Sequence, residues 1–107
     1  DNPGTPVYMA PEQLRGREID QRVDIFAFGV TMYETLTGQK PFNGETSREV
    51  LLQQRNREQH FAVPRDLNPS IPEDVEQIIL KCIEFDADRR YPHISYLVAE
   101  LRKALYV

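Results

Sequence analysis

Apolar residues along the chain recur mostly three and four positions apart, which is the period of an α-helix. No stretch alternates apolar and polar residues strictly enough to predict a half-buried strand. The periodicity, interrupted by prolines and glycines, predicts helices at about 11–14, 21–37, 46–59, 70–83 and 94–105. We therefore expect a mainly α domain.

The second predicted helix carries apolar side chains in nearly every direction around its axis. These residues are Val23, Ile25, Phe26, Phe28, Val30, Met32, Tyr33 and Leu36. Because such a helix has no polar face to show to water, we expect it at the centre of the core and buried all round. Asp20 should cap its first amides, and Gly38 stands where a left-handed residue ends a helix at least cost.

Two capping boxes, each a Ser or Thr followed three residues later by Glu, predict where later helices begin. Thr46 and Glu49 open a mostly polar helix, which we expect at the surface. Ser70 and Glu73 repeat the pattern before the most clearly amphipathic stretch of the chain.

Composition narrows the classes of function. The chain has 13 Lys and Arg against 17 Asp and Glu, a net charge of −4, and no basic cluster longer than Arg89-Arg90, so we expect no nucleic-acid partner. The longest apolar run, 25–30, is far shorter than the roughly 20 residues that span a membrane. The single Cys82 allows no internal disulfide and indicates a buried packing role in a reducing, cytoplasmic setting.

Metal ligands and nucleophiles are not indicated by the sequence. His60 and His93 are separated by predicted helices and lack Cys or carboxylate companions at ligand spacing, so we expect no metal. Ser47, Ser70 and Ser95 are better explained as caps or solvated positions, since no activating histidine stands in a matching motif.

Four short motifs occur in order along the chain. They are Gly4-Thr5-Pro6-Val7-Tyr8-Met9-Ala10-Pro11-Glu12, Asp24 to Gly29, Lys40-Pro41-Phe42, and Asp86-Ala87-Asp88-Arg89-Arg90. The first resembles the end of the activation segment in eukaryotic-type (Hanks-type) serine/threonine protein kinases, which closes with Ala-Pro-Glu. The others resemble that family's buried central helix, the Pro-Phe after it, and the Asp-Pro-x-x-Arg turn before its last helix. Phe26 and Ala87 depart from the family's usual tryptophan and proline.

The resemblance implies the helical C-terminal part of the large lobe (C-lobe), from the end of the activation segment to the last helix, with about five helices around a central buried one. Residues 1–107 would form one partial protein kinase domain, with the N-lobe and the catalytic loop absent. Because the first residue is Asp1 rather than Met, we expect the chain to be a piece of a longer protein.

In the family, the residues matching Glu12 and Arg90 pair across the lobe and tie the activation segment to the helical core. A guanidinium and a carboxylate suit this role because two parallel hydrogen bonds fix both direction and distance. Arg89 is the competing partner, although the turn spacing favours Arg90. From composition alone, both residues could instead be ordinary surface charges.

Asp24 and Gly29 frame the motif of the central helix. In kinases the aspartate accepts hydrogen bonds from backbone amides of the catalytic loop, so here we expect Asp24 to keep its place but lack that partner. Alternatively, Asp24 is a first-turn charge that the helix dipole favours. Gly29 is expected to have a structural role.

The resemblance also implies a substrate-binding loop at Gly4, Thr5, Pro6, Val7 and Tyr8, which in kinases lines the groove for the residue after the acceptor. Thr5 matches the threonine that hydrogen-bonds the catalytic aspartate and lysine in serine/threonine kinases. Together with Tyr8, it favours serine or threonine as the acceptor. Without the family, Thr5 is a turn residue in a proline-rich loop.

The parent protein is thus expected to transfer the γ-phosphate of ATP, with Mg²⁺, to Ser or Thr of protein substrates. No catalytic residue is expected in this chain, because the glycine-rich loop, the lysine and the catalytic and metal-binding motifs have no match here. The chain alone should be inactive and should need the N-lobe and catalytic loop in cis. A pseudokinase lobe that binds a protein partner is the main alternative. An unrelated helical interaction domain would leave Glu12 and Arg90 unpaired.

Overall fold

The computed structural model describes residues 6–106. Within this range there are seven α-helices, two short 3₁₀ turns at Pro6–Tyr8 and Ala87–Arg89, and no strand. The helices are α1 Pro11–Leu14, α2 Arg22–Thr37, α3 Ser47–Arg55, α4 Arg57–His60, α5 Pro64–Leu67, α6 Glu73–Cys82 and α7 Ile94–Tyr106. The expected mainly α class, with helices arranged about a central one, is confirmed.

Helices α2 and α6 form the main helix pair of the core, and α7 packs against both of them. Their close approach depends on Gly29, because a Cβ atom there would lie only 2.5 Å from Cys82 Cβ and 2.8 Å from Ile83 Cγ2. Aromatic rings extend this core: Phe42 stacks on Phe26 with centroids 6.1 Å apart, and Phe61 lies 5.7 Å from Phe42. The loops after α2 and α4 are thereby held against α2.

One stripe of α2 is exposed, contrary to the expectation that this helix is buried all round. The stripe consists of Asp24, Phe28, Thr31 and Thr35, at the i, i+4, i+7, i+11 spacing of a single helix face. Phe28 is 37% exposed, whereas Phe26 on the opposite side of the helix is fully buried. The prediction was wrong for this face because no described element packs over it.

The ends of α2 follow the predicted chemistry. Gln21 rather than Asp20 occupies the cap position and makes no side-chain cap, but Asp20 Oδ1 accepts a hydrogen bond at 2.9 Å from the amide of Arg22, the first residue of α2. Gly38 ends the helix in the left-handed conformation with φ 79°, which a residue with a side chain adopts only with strain.

Of the two capping boxes, only the first forms. Thr46 Oγ1 accepts from the Glu49 amide at 3.2 Å, and α3 starts there as predicted. At the second box, Pro72 rather than Ser70 precedes the helix, because a residue before proline disfavours the helical conformation that Ile71 would need.

The third predicted helix is shorter than expected and is followed by two single-turn helices. It stops at Asn56, which has φ −112° and ψ 42° and whose side-chain amide donates to the Leu52 carbonyl at 3.1 Å. The Asn56 backbone amide also donates to that carbonyl, at 3.2 Å, so the side chain adds a second hydrogen bond to the last turn while φ and ψ leave the helical region. Helix α5, at Pro64–Leu67, lies inside the segment predicted as loop.

Cys82 provides a test of this core. Its side chain is fully buried, and burial raises the pKa of the thiol to about 12, outweighing the opposing charges of Arg90 and Lys81. We expect iodoacetamide at pH 8 to modify the folded chain at least about 100-fold more slowly than the urea-unfolded chain, because only opening of the core exposes a reactive thiol. Mass spectrometry over time measures both rates.

The matched control for this labelling is a Cys82→Ala, Ser95→Cys double variant, which moves the thiol to an exposed position on α7. That variant should react at similar rates with and without urea. Equal rates for the native chain in the two conditions would contradict the buried position of Cys82.

Candidate functional site: the docking segment and its tether

The candidate site is the segment from Pro6 to Glu12, here called the docking segment. It begins as a 3₁₀ turn, passes through Ala10 in an extended conformation with ψ 155°, and enters α1 with Pro11 at its first position. Proline suits that position because its missing N–H has no partner to lose there. Gly4 and Thr5, two of the predicted substrate-binding residues, lie outside the described residues.

The side chains of Pro6 and Val7 are buried, whereas Tyr8 is half-buried. Pro6 and Val7, both predicted substrate-binding residues, therefore anchor the segment by packing their side chains into the core. Any contact that they make with a substrate would have to use their backbone. Among the three predicted substrate-binding residues that the structure describes, Tyr8 has a partly accessible side chain.

Tyr8 is held at the far end of α2, since its hydroxyl donates a hydrogen bond to Glu34 Oε1. That hydrogen bond, with burial and the negative charge of Glu34, raises the pKa of Tyr8 above its usual value. The second carboxylate oxygen of Glu34 lies 3.8 Å from Lys40 Nζ. The orientation of the Tyr8 ring is thus tied to α2 through Glu34, which also contacts the exposed Lys40 in the following loop.

A second contact to the docking segment comes from α3. Gln54 Nε2 donates to the Met9 carbonyl at 2.8 Å, and the Gln54 side chain is only 1% exposed. Sequence reasoning missed this residue, because a glutamine in a mostly polar helix carries no motif. The available signal was its spacing, since Gln54 lies one turn after the buried Val50 on the same face.

Glu12 and Arg90 form the ion pair that tethers the docking segment to the core. Arg90 Nη1 lies 2.8 Å from Glu12 Oε2, and Arg90 Nη2 lies 2.9 Å from Glu12 Oε1. The Arg90 side chain is fully buried, and that of Glu12 is 15% exposed. This is the two-pronged geometry that gives a guanidinium–carboxylate pair its directionality.

The other N–H groups of Arg90 bind backbone carbonyls. Nε donates to Glu84 at 2.8 Å, Nη1 to Arg22 at 3.2 Å and Nη2 to Phe85 at 3.1 Å. The guanidinium also lies over the Phe26 ring, 4.9 Å from its centroid. All five N–H donors of the side chain are therefore used, so the buried charge is fully compensated.

The environment of Glu12 favours its charged form. Burial alone would raise its pKa, but the hydrogen bonds from Arg90, a backbone hydrogen bond and the charges of Arg90 and Arg22 together place it below the usual value. A lowered pKa means that the pair stabilises the fold above the pKa of an unfolded glutamate and that this contribution is lost as the pH falls through the folded pKa.

Arg89, the competing partner, is exposed and its carbonyl accepts a hydrogen bond from Lys81. A separate surface network lies next to the tether, where Arg22 contacts Asp20 at 3.0 Å and Asp88 at 2.8 Å. The pairing with Glu12 therefore belongs to Arg90.

Asp24 and Gly29 lie on different faces of α2. Asp24 is exposed, and its carboxylate makes no hydrogen bond or ion pair to another residue of the described chain, whereas its backbone amide donates to the Gln21 carbonyl at 3.0 Å. Gly29 is buried at the contact of α2 with α6. Asp24 thus lies on an open surface of α2, and Gly29 lies in the core.

The residues described here do not fit a nucleotide with its metal ion. Across residues 6–106, no three His, Cys, Asp or Glu side chains are grouped so that they could hold a metal. The glycines are far apart, and Gly16 and Gly38 each serve as a left-handed turn after a helix.

No helix within residues 6–106 combines the length and the apolar character that crossing a membrane requires.

Comparisons with known proteins identify the family. A model of the protein kinase domain matches residues 1–102. Tyrosine-protein kinase MasK of Myxococcus xanthus is 47% identical over 89 residues, covering 83% of this chain and 14% of MasK. The DNA damage-responsive serine/threonine-protein kinase RqkA of Deinococcus radiodurans is 41% identical over 87 residues, 81% of this chain and 13% of RqkA.

Serine/threonine-protein kinase PrkC of Bacillus subtilis is 37% identical over 101 residues, which is 94% of this chain and 15% of PrkC. The chain thus spans only 13% to 15% of the length of these three relatives. The order of the four motifs, the helical fold and the match over residues 1–102 agree. The chain belongs to the protein kinase family, and it is the helical C-terminal part of the large lobe of a Hanks-type kinase domain.

Proposed function

We propose that the protein carrying this chain is a serine/threonine protein kinase, which uses Mg²⁺ and ATP to phosphorylate protein substrates. In this proposal residues 1–107 are a partial kinase domain, and residues 4–8 bind the substrate residue that follows the acceptor. The observation that carries it is the buried two-pronged pair of Glu12 with Arg90, which holds the docking segment on the core. Such a tether serves a segment that must present a fixed surface to a partner.

The chain's own contribution is positioning. Tyr8 is oriented by Glu34, and Met9 by Gln54, so the backbone that follows the predicted docking residues is held from two sides. The catalytic loop and N-lobe would be supplied in cis, with Asp24 accepting backbone amides of that loop from its exposed position on α2. Alone, the chain is expected to transfer no phosphate. The buried free Cys82 suits a reducing cytoplasmic setting.

The acceptor residue needs a direct test. Thr5 and Tyr8 match the serine/threonine pattern, and RqkA and PrkC are named serine/threonine kinases. MasK, which shares 47% identity with this chain, is named a tyrosine kinase. Family membership therefore supports phosphate transfer to protein. The choice of serine or threonine as the acceptor is supported by Thr5 and Tyr8 of the predicted substrate-binding loop.

The test is phosphorylation by the full-length protein. Purified protein is incubated with radiolabelled ATP, Mg²⁺ and myelin basic protein, and the product is hydrolysed for phosphoamino acid analysis. We expect phosphoserine or phosphothreonine, with no label when EDTA replaces Mg²⁺ and none with the 107-residue chain alone. Phosphotyrosine alone would overturn the acceptor. Absence of transfer would favour the pseudokinase scaffold.

A further inference from the structure

We propose that Gln54 is a positioning residue for substrate binding, whose side-chain amide fixes the Met9 peptide and thereby sets the affinity for the protein substrate without affecting that for ATP. This inference rests on the proposed function and extends it to α3, a helix to which no motif assigns a role. It concerns one donor–acceptor contact between residues 45 positions apart.

The first support is the position of Met9, directly after the predicted docking residues. Its amide donates to the Pro6 carbonyl at 3.1 Å, and its carbonyl receives Gln54 Nε2 at 2.8 Å. The next amide, that of Ala10, donates to Gln13 Oε1 at 2.8 Å. The backbone groups of Met9 and Ala10 are therefore held by hydrogen bonds. Among residues 6–106, Gln54 is the one contributor to these bonds from outside the docking segment and α1.

The second support is that a buried glutamine at position 54 stabilises the core less by packing than an apolar residue of similar size would. Its side chain is almost fully buried, and its Oε1 atom has no hydrogen-bond partner within the described chain. A buried polar atom without a partner destabilises a fold, so methionine or leucine would fill this site at less cost. What the amide provides at this site is the Nε2 donor to the Met9 carbonyl, which neither methionine nor leucine could supply.

The direction of the contact follows from chemistry. Met9 offers a carbonyl, which only accepts, so the NH₂ group of Gln54 must face it. The neighbouring Gln53 has the opposite role, since its Oε1 accepts from the Asn43 amide at 2.6 Å. Two adjacent glutamines on one helix thus act as donor and acceptor, and this difference allows a matched experiment.

The experiment compares Gln54→Glu with Gln53→Glu in the full-length kinase. A carboxylate still accepts a hydrogen bond but cannot donate one, so the first change removes the contact to Met9 and the second retains the contact to Asn43. We expect Gln54→Glu to raise the KM for a substrate peptide by about 10-fold, with the KM for ATP within about twofold of wild type. Gln53→Glu should match wild type in both.

A second variant guards against simple unfolding. Gln54→Met removes the donor together with the unpartnered oxygen, and its similar volume should keep the melting temperature within a few degrees of wild type. We expect the same selective rise in the peptide KM. An unchanged peptide KM, or a parallel rise in the KM for ATP, would overturn the positioning role.

Hydrogen exchange separates this inference from the proposed function. In the full-length protein, amide exchange in a peptic peptide covering 6–14 should be faster for Gln54→Met than for Gln53→Glu or wild type, whether or not the protein transfers phosphate. Absence of transfer by the wild-type protein would reject the kinase activity. Identical exchange in all three proteins would reject the role of Gln54.

Discussion

Replacing Arg90 with methionine is expected to lower the free energy of unfolding by about 3 to 5 kcal/mol, because the change strands the largely buried carboxylate of Glu12. It also leaves three backbone carbonyls without their donor, those of Arg22, Glu84 and Phe85. Urea unfolding of the purified chain, followed by circular dichroism at neutral pH, measures the loss.

The matched control is Arg89→Met, which removes the adjacent charge from an exposed side chain and should change stability by no more than about 0.5 kcal/mol. Arg90→Lys should recover only part of the loss, since an ammonium group cannot make two parallel hydrogen bonds and reach the three carbonyls. Equal effects of Arg89→Met and Arg90→Met would show that the tether contributes nothing.

Replacing Gly29 with alanine is expected to destabilise the chain by about 2 to 3 kcal/mol, as overpacking a close-packed core does. The new methyl would meet Cys82 Cβ at 2.5 Å, and because a Cβ atom cannot rotate away, α2 and α6 would have to move apart. This loss would outweigh the gain of about 1 kcal/mol that alanine brings over glycine in a helix. Urea unfolding measures the net effect.

Thr35→Ala is the control for that helix gain, since Thr35 lies on the exposed stripe of α2. It should leave stability unchanged or raise it by a few tenths of a kcal/mol. If Gly29→Ala were also stabilising, the close contact of α2 with α6 would be refuted.

The sequence predicted the features that depend on residues close together along the chain. Helices with sustained periodicity appear where expected, and both Gly38 and the Thr46 capping box mark their helix ends. The errors in helix bounds arose at single residues: the backbone of Asn56 leaves the helical region and ends α3 early, and Pro72 delays the start of α6. The exposed face of α2 was missed because it depends on which elements pack against the helix.

The contacts of the candidate site also divide into those that the sequence could predict and those that it could not. The pairing of Glu12 with Arg90 could be expected from the motifs at both ends of the chain, and the two side chains do meet. The three backbone carbonyls that complete the surroundings of Arg90 could not be expected, because carbonyl positions depend on the turns and not on residue type. Gln54 was missed for a related reason, since its partner is the backbone of Met9.

The way Arg90 closes its own turn has a consequence for protein engineering. Its guanidinium binds the carbonyls of residues five and six positions earlier and, at the same time, the carboxylate at the other end of the chain. One residue inserted between 85 and 89 would displace the chain by up to about 3.5 Å and pull the guanidinium out of register with every acceptor.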